Sequence, residues 1–143
     1  MKKINENKGL KTMLLHTMIR VKDLDKSVKF YEEVLDMKVQ KRMDFETGRF
    51  TLVFIGYGSL HSTTVLELTH NWDSIEDYTH GTGYGHIAIK TDKMFDICEK
   101  AEQFGGKVTR PAGPMAGSDI NMAFIADPDG YKIELLETTD NLS

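Results

Sequence analysis

Cysteine is almost missing from this 143-residue chain. The single residue, Cys98, has no partner for an internal disulfide and cannot build a multi-cysteine zinc site, so a reducing cytoplasm is the expected compartment. Cys98 follows Ile97 in an expected helix, where a lone thiol reads as a small core residue rather than a nucleophile. Long apolar runs are missing too. No stretch approaches the roughly 20 residues of a membrane helix, and the first residues carry no apolar signal segment. Nor is positive charge concentrated. With a net charge of −4 and no dense run of lysine or arginine, neither nucleic acid nor a membrane is an expected partner; a small molecule is.

What the chain does have is punctuated alternation. Residues 1–12 are polar and are expected to form a mobile tail. Met13 to Val21 reads as a strand with His16, Met18 and Arg20 on one face by the period of two. Asp23 or Asp25 can cap a helix over about 24–36, whose Val28, Tyr31 and Leu35 recur at helical spacing. Strands are expected at Lys38 to Met43, Phe50 to Gly56 and Thr63 to His70. A polar connection over 72–83 follows. The pattern then restarts with a strand from Tyr84 to Thr91, a helix capped by Asp92 and running to Phe104, and a Gly105-Gly106 stop. Strands at Lys107 to Thr109, Asn121 to Ile125 and Tyr131 to Glu137 complete it. The expected fold is α+β: a first βαβββ module over 13–71 and a second over 84–138, in tandem, forming a curved mixed sheet.

Two anomalous carboxylates mark the repeat. Glu67 lies between Leu66 and Leu68, and Glu134 between Ile133 and Leu135, in strands that otherwise look buried. An unpaired charge there would neutralise, find a cation or bind a metal. Each glutamate ends a half that begins with a strand histidine, His16 or His86, at nearly the same separation. A lone strand histidine is ordinarily a core or edge residue, and a lone strand glutamate ordinarily faces water. Four in matching places point instead to a divalent transition-metal site, if the two halves bring them to one point, with coordination positions left open for catalysis. Arg20 shares the face of His16, and Asn71 that of Glu67; the one can clamp a carboxylate and the other add an amide, though each is equally an ordinary strand-end residue.

Other features read as ordinary structure. His61, His70 and His80 are expected in loops or on the surface. Gly81-Thr-Gly-Tyr-Gly85 lacks dinucleotide spacing and leads into a strand, so it offers no helix N-terminus to a phosphate. Asp127-Pro-Asp-Gly130 lacks a calcium-loop pattern and reads as a hairpin turn.

The segments His16-Thr-Met-Ile-Arg-Val, Leu66-Glu-Leu-Thr-His-Asn-Trp72, Tyr84-Gly-His-Ile-Ala-Ile89 and Asp127-Pro-Asp-Gly-Tyr-Lys-Ile-Glu-Leu135 together resemble glyoxalase I, lactoylglutathione lyase, of the vicinal-oxygen-chelate superfamily. The resemblance covers about 13–138. It implies that His16, Glu67, His86 and Glu134 bind one divalent metal and that Arg20 and Asn71 hold the γ-glutamyl end of glutathione. The short chain and the histidine at position 16 look like the bacterial type, which implies nickel or cobalt rather than zinc. The implied reaction isomerises the hemithioacetal of methylglyoxal and glutathione to S-lactoylglutathione through a cis-enediolate. Glu134 is the expected principal base, and Glu67 can act from the opposite side. A homodimer is implied as well.

The chain departs from that pattern in the loop Met115-Ala-Gly-Ser118, where bacterial relatives often carry a lysine. Arg110 is the expected substitute. The superfamily also contains methylmalonyl-CoA-type epimerases and small-molecule-sequestering resistance proteins, and these are the alternative functions.

Overall fold

The computed structural model describes residues 12–137. The expected tail lies outside them except for Thr12, as does residue 138 at the close of the second module. The element order is β1 (His16–Arg20), α1 (Leu24–Leu35), β2 (Lys38–Phe45), β3 (Phe50–Gly56), β4 (Val65–Asn71), β5 (His86–Lys90), α2 (Met94–Gln103), β6 (Lys107–Pro114), β7 (Asn121–Ala126) and β8 (Lys132–Leu136). The βαβββ unit is therefore used twice. Each copy makes its own four-stranded mixed sheet, ordered β1-β4-β3-β2 and β5-β8-β7-β6. The helical crossover makes the first and last strands of each unit parallel neighbours, and the remaining pairs are antiparallel.

Local chemistry sets the helix ends. Asp23 is extended and accepts the Lys26 N–H at 3.1 Å, so it and not Asp25 caps α1. The expected Asp92 cap on α2 is not used: Lys93 occupies the N-cap position without a side-chain bond, and Thr91 Oγ1 takes the Lys93 N–H at 3.0 Å. The shorter hydroxyl two residues back forms a local turn that serves the same donor. At the far end Gly105 has φ +91°, and Gly106 N–H returns to the Ala101 carbonyl at 2.8 Å.

Strand β6 runs five residues past its expected end. Pro111 is tolerated because β6 is an edge strand, and the register slips on both sides of Arg110. The Arg110 guanidinium closes the gap by donating to the carbonyls of Pro111, Gly113, Met122 and Pro114 at 2.7 to 3.1 Å. A side chain here does the work that ladder hydrogen bonds do elsewhere.

Both helices pack on the inner faces of their sheets, and residues of both modules merge into one core. Phe30, Tyr31, Val34 and Leu35 of α1 join Ile97 and Ala101 of α2, Ile55 and Leu68 of the first sheet, and Ile125, Ile133 and Leu135 of the second. Each large side chain removed from water contributes about 1.5–3 kcal/mol before entropy is set against it.

The Asp127–Gly130 turn is more than a hairpin connection, because it is the polar joint of the modules. Tyr31 donates to Asp127 Oδ2 at 2.6 Å, the Lys22 N–H to Asp129 Oδ1 at 2.9 Å, and the Ser27 hydroxyl to Asp129 Oδ2 at 3.2 Å. Burial pushes the Asp127 carboxyl up to about 6, against the pull of the Tyr31 hydroxyl and the N–H groups of Tyr131 and Asp129.

Candidate metal centre

Strand parity separates two kinds of residue on β4 and β8. Leu66 and Leu68, like Ile133 and Leu135, turn into the core, so Glu67 and Glu134 are carried on the faces away from the helices. The parallel neighbours place a histidine beside each. His16 stands opposite Val65 and His86 opposite Lys132, in both cases two residues before the glutamate. This diagonal brings His16 Nε2 to 3.7 Å from Glu67 Oε1 and His86 Nε2 to 3.9 Å from Glu134 Oε1. The carboxylates are 15% and 17% exposed, and the imidazoles 37% and 43%. Each pair is thus open on the imidazole side.

A third residue completes each constellation and was not singled out from the sequence. Phe54 lies opposite Glu67 and Phe124 opposite Glu134 across the antiparallel pairs. Their rings meet His16 at 5.4 Å and His86 at 5.3 Å between centroids. Aligning the two modules on their glutamates, with the antiparallel register in hand, finds both. An aromatic wall beside imidazole and carboxylate fixes the ring and lowers the local dielectric.

Within one chain the four expected ligands form two pairs. Among the described residues, no group of three or more His, Cys, Asp or Glu side chains could hold a metal ion. Each pair nevertheless suits one. Two donors each about 2.0–2.2 Å from a shared ion can stand up to about 4.2 Å apart, which accommodates both observed spacings. Neutral imidazole with carboxylate is a donor set for a first-row divalent ion, and two such pairs would leave coordination positions free.

Arg20 and Asn71 fall on the expected face. Arg20 is opposite Thr69 and Asn71 ends β4, so both continue the row that starts with His16 and Glu67. Their supports come from elsewhere in the chain. Tyr131 donates to the Arg20 carbonyl at 2.8 Å, and Tyr78 to Asn71 Oδ1 at 3.3 Å. Burial pushes the Tyr131 phenol up to about 12, so it remains a donor across the neutral range.

Two expectations need correction. Arg110 is not a free anion-binding group, because its N–H groups are aimed at four main-chain carbonyls. His70 is not a loop residue, whereas His80 lies in the connection between the modules, as expected. His70 sits in β4 with Nδ1 3.3 Å from the Val21 carbonyl, while half-buried His80 stacks on Tyr131 at 4.1 Å. His61 is exposed in a turn, as expected.

Paired βαβββ modules, each carrying one imidazole–carboxylate pair on its open face, define the class of protein. Residues 13–135 match the family described as the Glyoxalase/Bleomycin resistance protein/Dioxygenase superfamily. The lactoylglutathione lyase of Neisseria meningitidis serogroup B is 53% identical over 124 residues, covering 87% of this chain and 89% of that protein. The probable lactoylglutathione lyase of Synechocystis is 49% identical over 126 residues, covering 88% and 95%. Among solved structures, the trypanothione-dependent glyoxalase I of Leishmania major superposes with a TM-score of 0.78 at 43% identity, covering 92% of this chain and 90% of that one. Maize glyoxalase I gives a TM-score of 0.81 at 38% identity over 89% of this chain, which spans 45% of the maize chain. The chain belongs to the lactoylglutathione lyase, or glyoxalase I, family. These relatives favour the lyase over the epimerase and the sequestering protein.

Proposed function

We propose that the protein isomerises the hemithioacetal of methylglyoxal and glutathione, or of a related thiol, to the S-lactoyl thioester, at sites built between two copies of the chain. One observation carries the composite site. Both modules hold a His–Glu pair in the same register on faces that their own helices leave uncovered, and neither pair suffices alone. Placing the first module of one copy against the second module of another brings His16 and Glu67 together with His86 and Glu134. Two equivalent sites result, and the helix-lined core of each copy is left intact.

A divalent ion held by those four residues, nickel or cobalt in preference to zinc, supplies Lewis-acid stabilisation of charge on the substrate oxygens. The chain's own groups do the rest. Arg20 and Asn71 bind the γ-glutamyl end, with Tyr131 and Tyr78 holding them in place. Glu134 takes the carbon-bound proton and returns it to the neighbouring carbon. The two glutamates differ in their freedom to do this. Thr69 donates to Glu67 Oε2 at 3.1 Å, whereas Leu136, at the equivalent place in β8, offers Glu134 no hydrogen bond. Glu67 is tethered and Glu134 is free to move. Phe54 and Phe124 help to exclude water from the carbon acid.

No described helix is long and apolar enough to cross a membrane. A cytoplasmic location suits the lone thiol and a thiol-dependent substrate.

The test is complementation. His16→Ala and His86→Ala are each expected to inactivate the enzyme. Mixed by co-refolding, they form heterodimers in which one composite site has all four ligands, so about one quarter of native activity should return. Sites built within single chains would stay dead in the mixture. Reconstituting metal-free protein with nickel, cobalt or zinc and offering several thiols then fixes the metal and the thiol.

A further inference from the structure

We infer that Lys132 receives the second carboxylate of the thiol substrate, the glycyl one in glutathione, and so sets the preference for a tripeptide with a free C-terminus. The inference rests on the proposed function and extends it to a residue with no role so far. A glutathione adduct carries two carboxylates and one ammonium. Arg20 answers one carboxylate, and the two ligand glutamates neutralise a divalent ion, so one carboxylate still needs a cation.

Lys132 is placed for that role. It stands opposite His86 across the β5–β8 pair and two residues before Glu134, on the same face of the strand. It lines a cavity of about 390 Å³ together with His86, Phe124, Thr109 and Arg110. Four other cations of the described chain are held by carboxylates: Lys22 by Asp77, Arg42 by Asp25, Arg49 by Asp73 and Lys93 by Asp36. No carboxylate lies within ion-pair distance of Lys132 among the described residues. A lysine left unpaired beside a metal ligand repels that metal unless an anion joins it, and the substrate brings the anion.

The neighbouring cations do not compete. Arg110 adds its charge to the same cavity, but its N–H groups are aimed at four carbonyls. Lys90 is four residues beyond His86 on β5, opposite Leu136, and lines a different cavity with Asp36, Asp92 and Glu137.

The test compares S-hexylglutathione with its glycyl ethyl ester by titration calorimetry on the full-length, metal-loaded protein. The native protein should bind the free acid about two- to fivefold more tightly than the ester, as expected for a partly exposed charge pair. Lys132→Met should bind both alike, at the affinity of the native protein for the ester, and Lys132→Arg should keep the preference. Equal affinity of the native protein for acid and ester overturns the inference without any substitution being made. Undiminished preference in Lys132→Met overturns it too. Failure of the native protein to bind either compound, with no turnover of the hemithioacetal, instead removes the functional reading on which the inference stands.

Discussion

Tyr31 of the first module and Asp127 of the second meet at 2.6 Å, hydroxyl to carboxylate, in the buried joint between the modules. The contact is neutral when Asp127 is protonated, and burial favours that form, with the carboxyl held up at about 6. An unfolded aspartate titrates near 3.9, so between about pH 4 and 6 the folded chain holds a proton that the unfolded chain has released. The resulting stabilisation is fully present below about pH 4 and is lost as pH rises through about 6. Asp127→Asn preserves the shape without the titration. The native-minus-variant difference in unfolding free energy should therefore fall by on the order of 2 kcal/mol between pH 4 and pH 7. Urea denaturation at the two pH values measures it, and a constant difference would show that Asp127 does not titrate in the joint.

Gly106 is fixed by space. A Cβ there would lie 2.4 Å from the Ala126 carbonyl oxygen and 2.6 Å from the Phe30 ring. Neither the backbone of β7 nor a fully buried ring can easily retreat. Gly106→Ala should lower stability by about 1–3 kcal/mol, read as a fall in calorimetric Tm. An unchanged Tm would mean that the helix–sheet contact relaxes more readily than its packing implies.

Much of this was legible in the residues because two periodicities were clean. Alternation in β4 and β8 exposes Glu67 and Glu134 as misfits among leucines and isoleucines, and the same parity correctly put Arg20 and Asn71 on their row. Phe50–Gly56 begins and ends where turn residues place it. What stayed hidden depends on contacts between distant segments. The role of Asp127 needs Tyr31, 96 residues away, and the neighbours of Arg20 need Tyr131, 111 residues away. The length of β6 was missed because Arg110 replaces ladder bonds with side-chain ones, for which periodicity has no signal. The division of the four candidate ligands into pairs is likewise a property of sheet orientation, which no spacing along the chain encodes.

Tyr131→Phe tests whether the joint also serves recognition. It removes the donor to the Arg20 carbonyl but keeps the ring stacked on His80 and edge-on to Tyr84. Loss of one partly buried hydrogen bond should lower stability by about 1 kcal/mol. If Arg20 holds the substrate, KM for the hemithioacetal should rise about three- to tenfold with kcat nearly unchanged, the mark of weakened uniform binding. A fall in kcat at constant KM would place the effect of Tyr131 on the chemistry instead.

The two glutamates should separate under the same substitution. Glu67 is tied to Thr69 at 3.1 Å, and Glu134 has only an apolar neighbour at the matching place. A tethered carboxylate makes a steady ligand, and an untethered one can leave its ligand position and reach the carbon acid. Glu134→Gln should keep most of its metal but lose about 10²–10⁴-fold in turnover, the range expected for a general base. Glu67→Gln should lose more metal and less turnover per bound ion, because the amide disturbs the Thr69 bond and the charge of the steadier ligand. Metal content by mass spectrometry and turnover must be read on the same samples. Full activity in metal-replete Glu134→Gln would give the proton to Glu67, and equal losses in both variants would mean that the hydrogen bond from Thr69 does not divide their work.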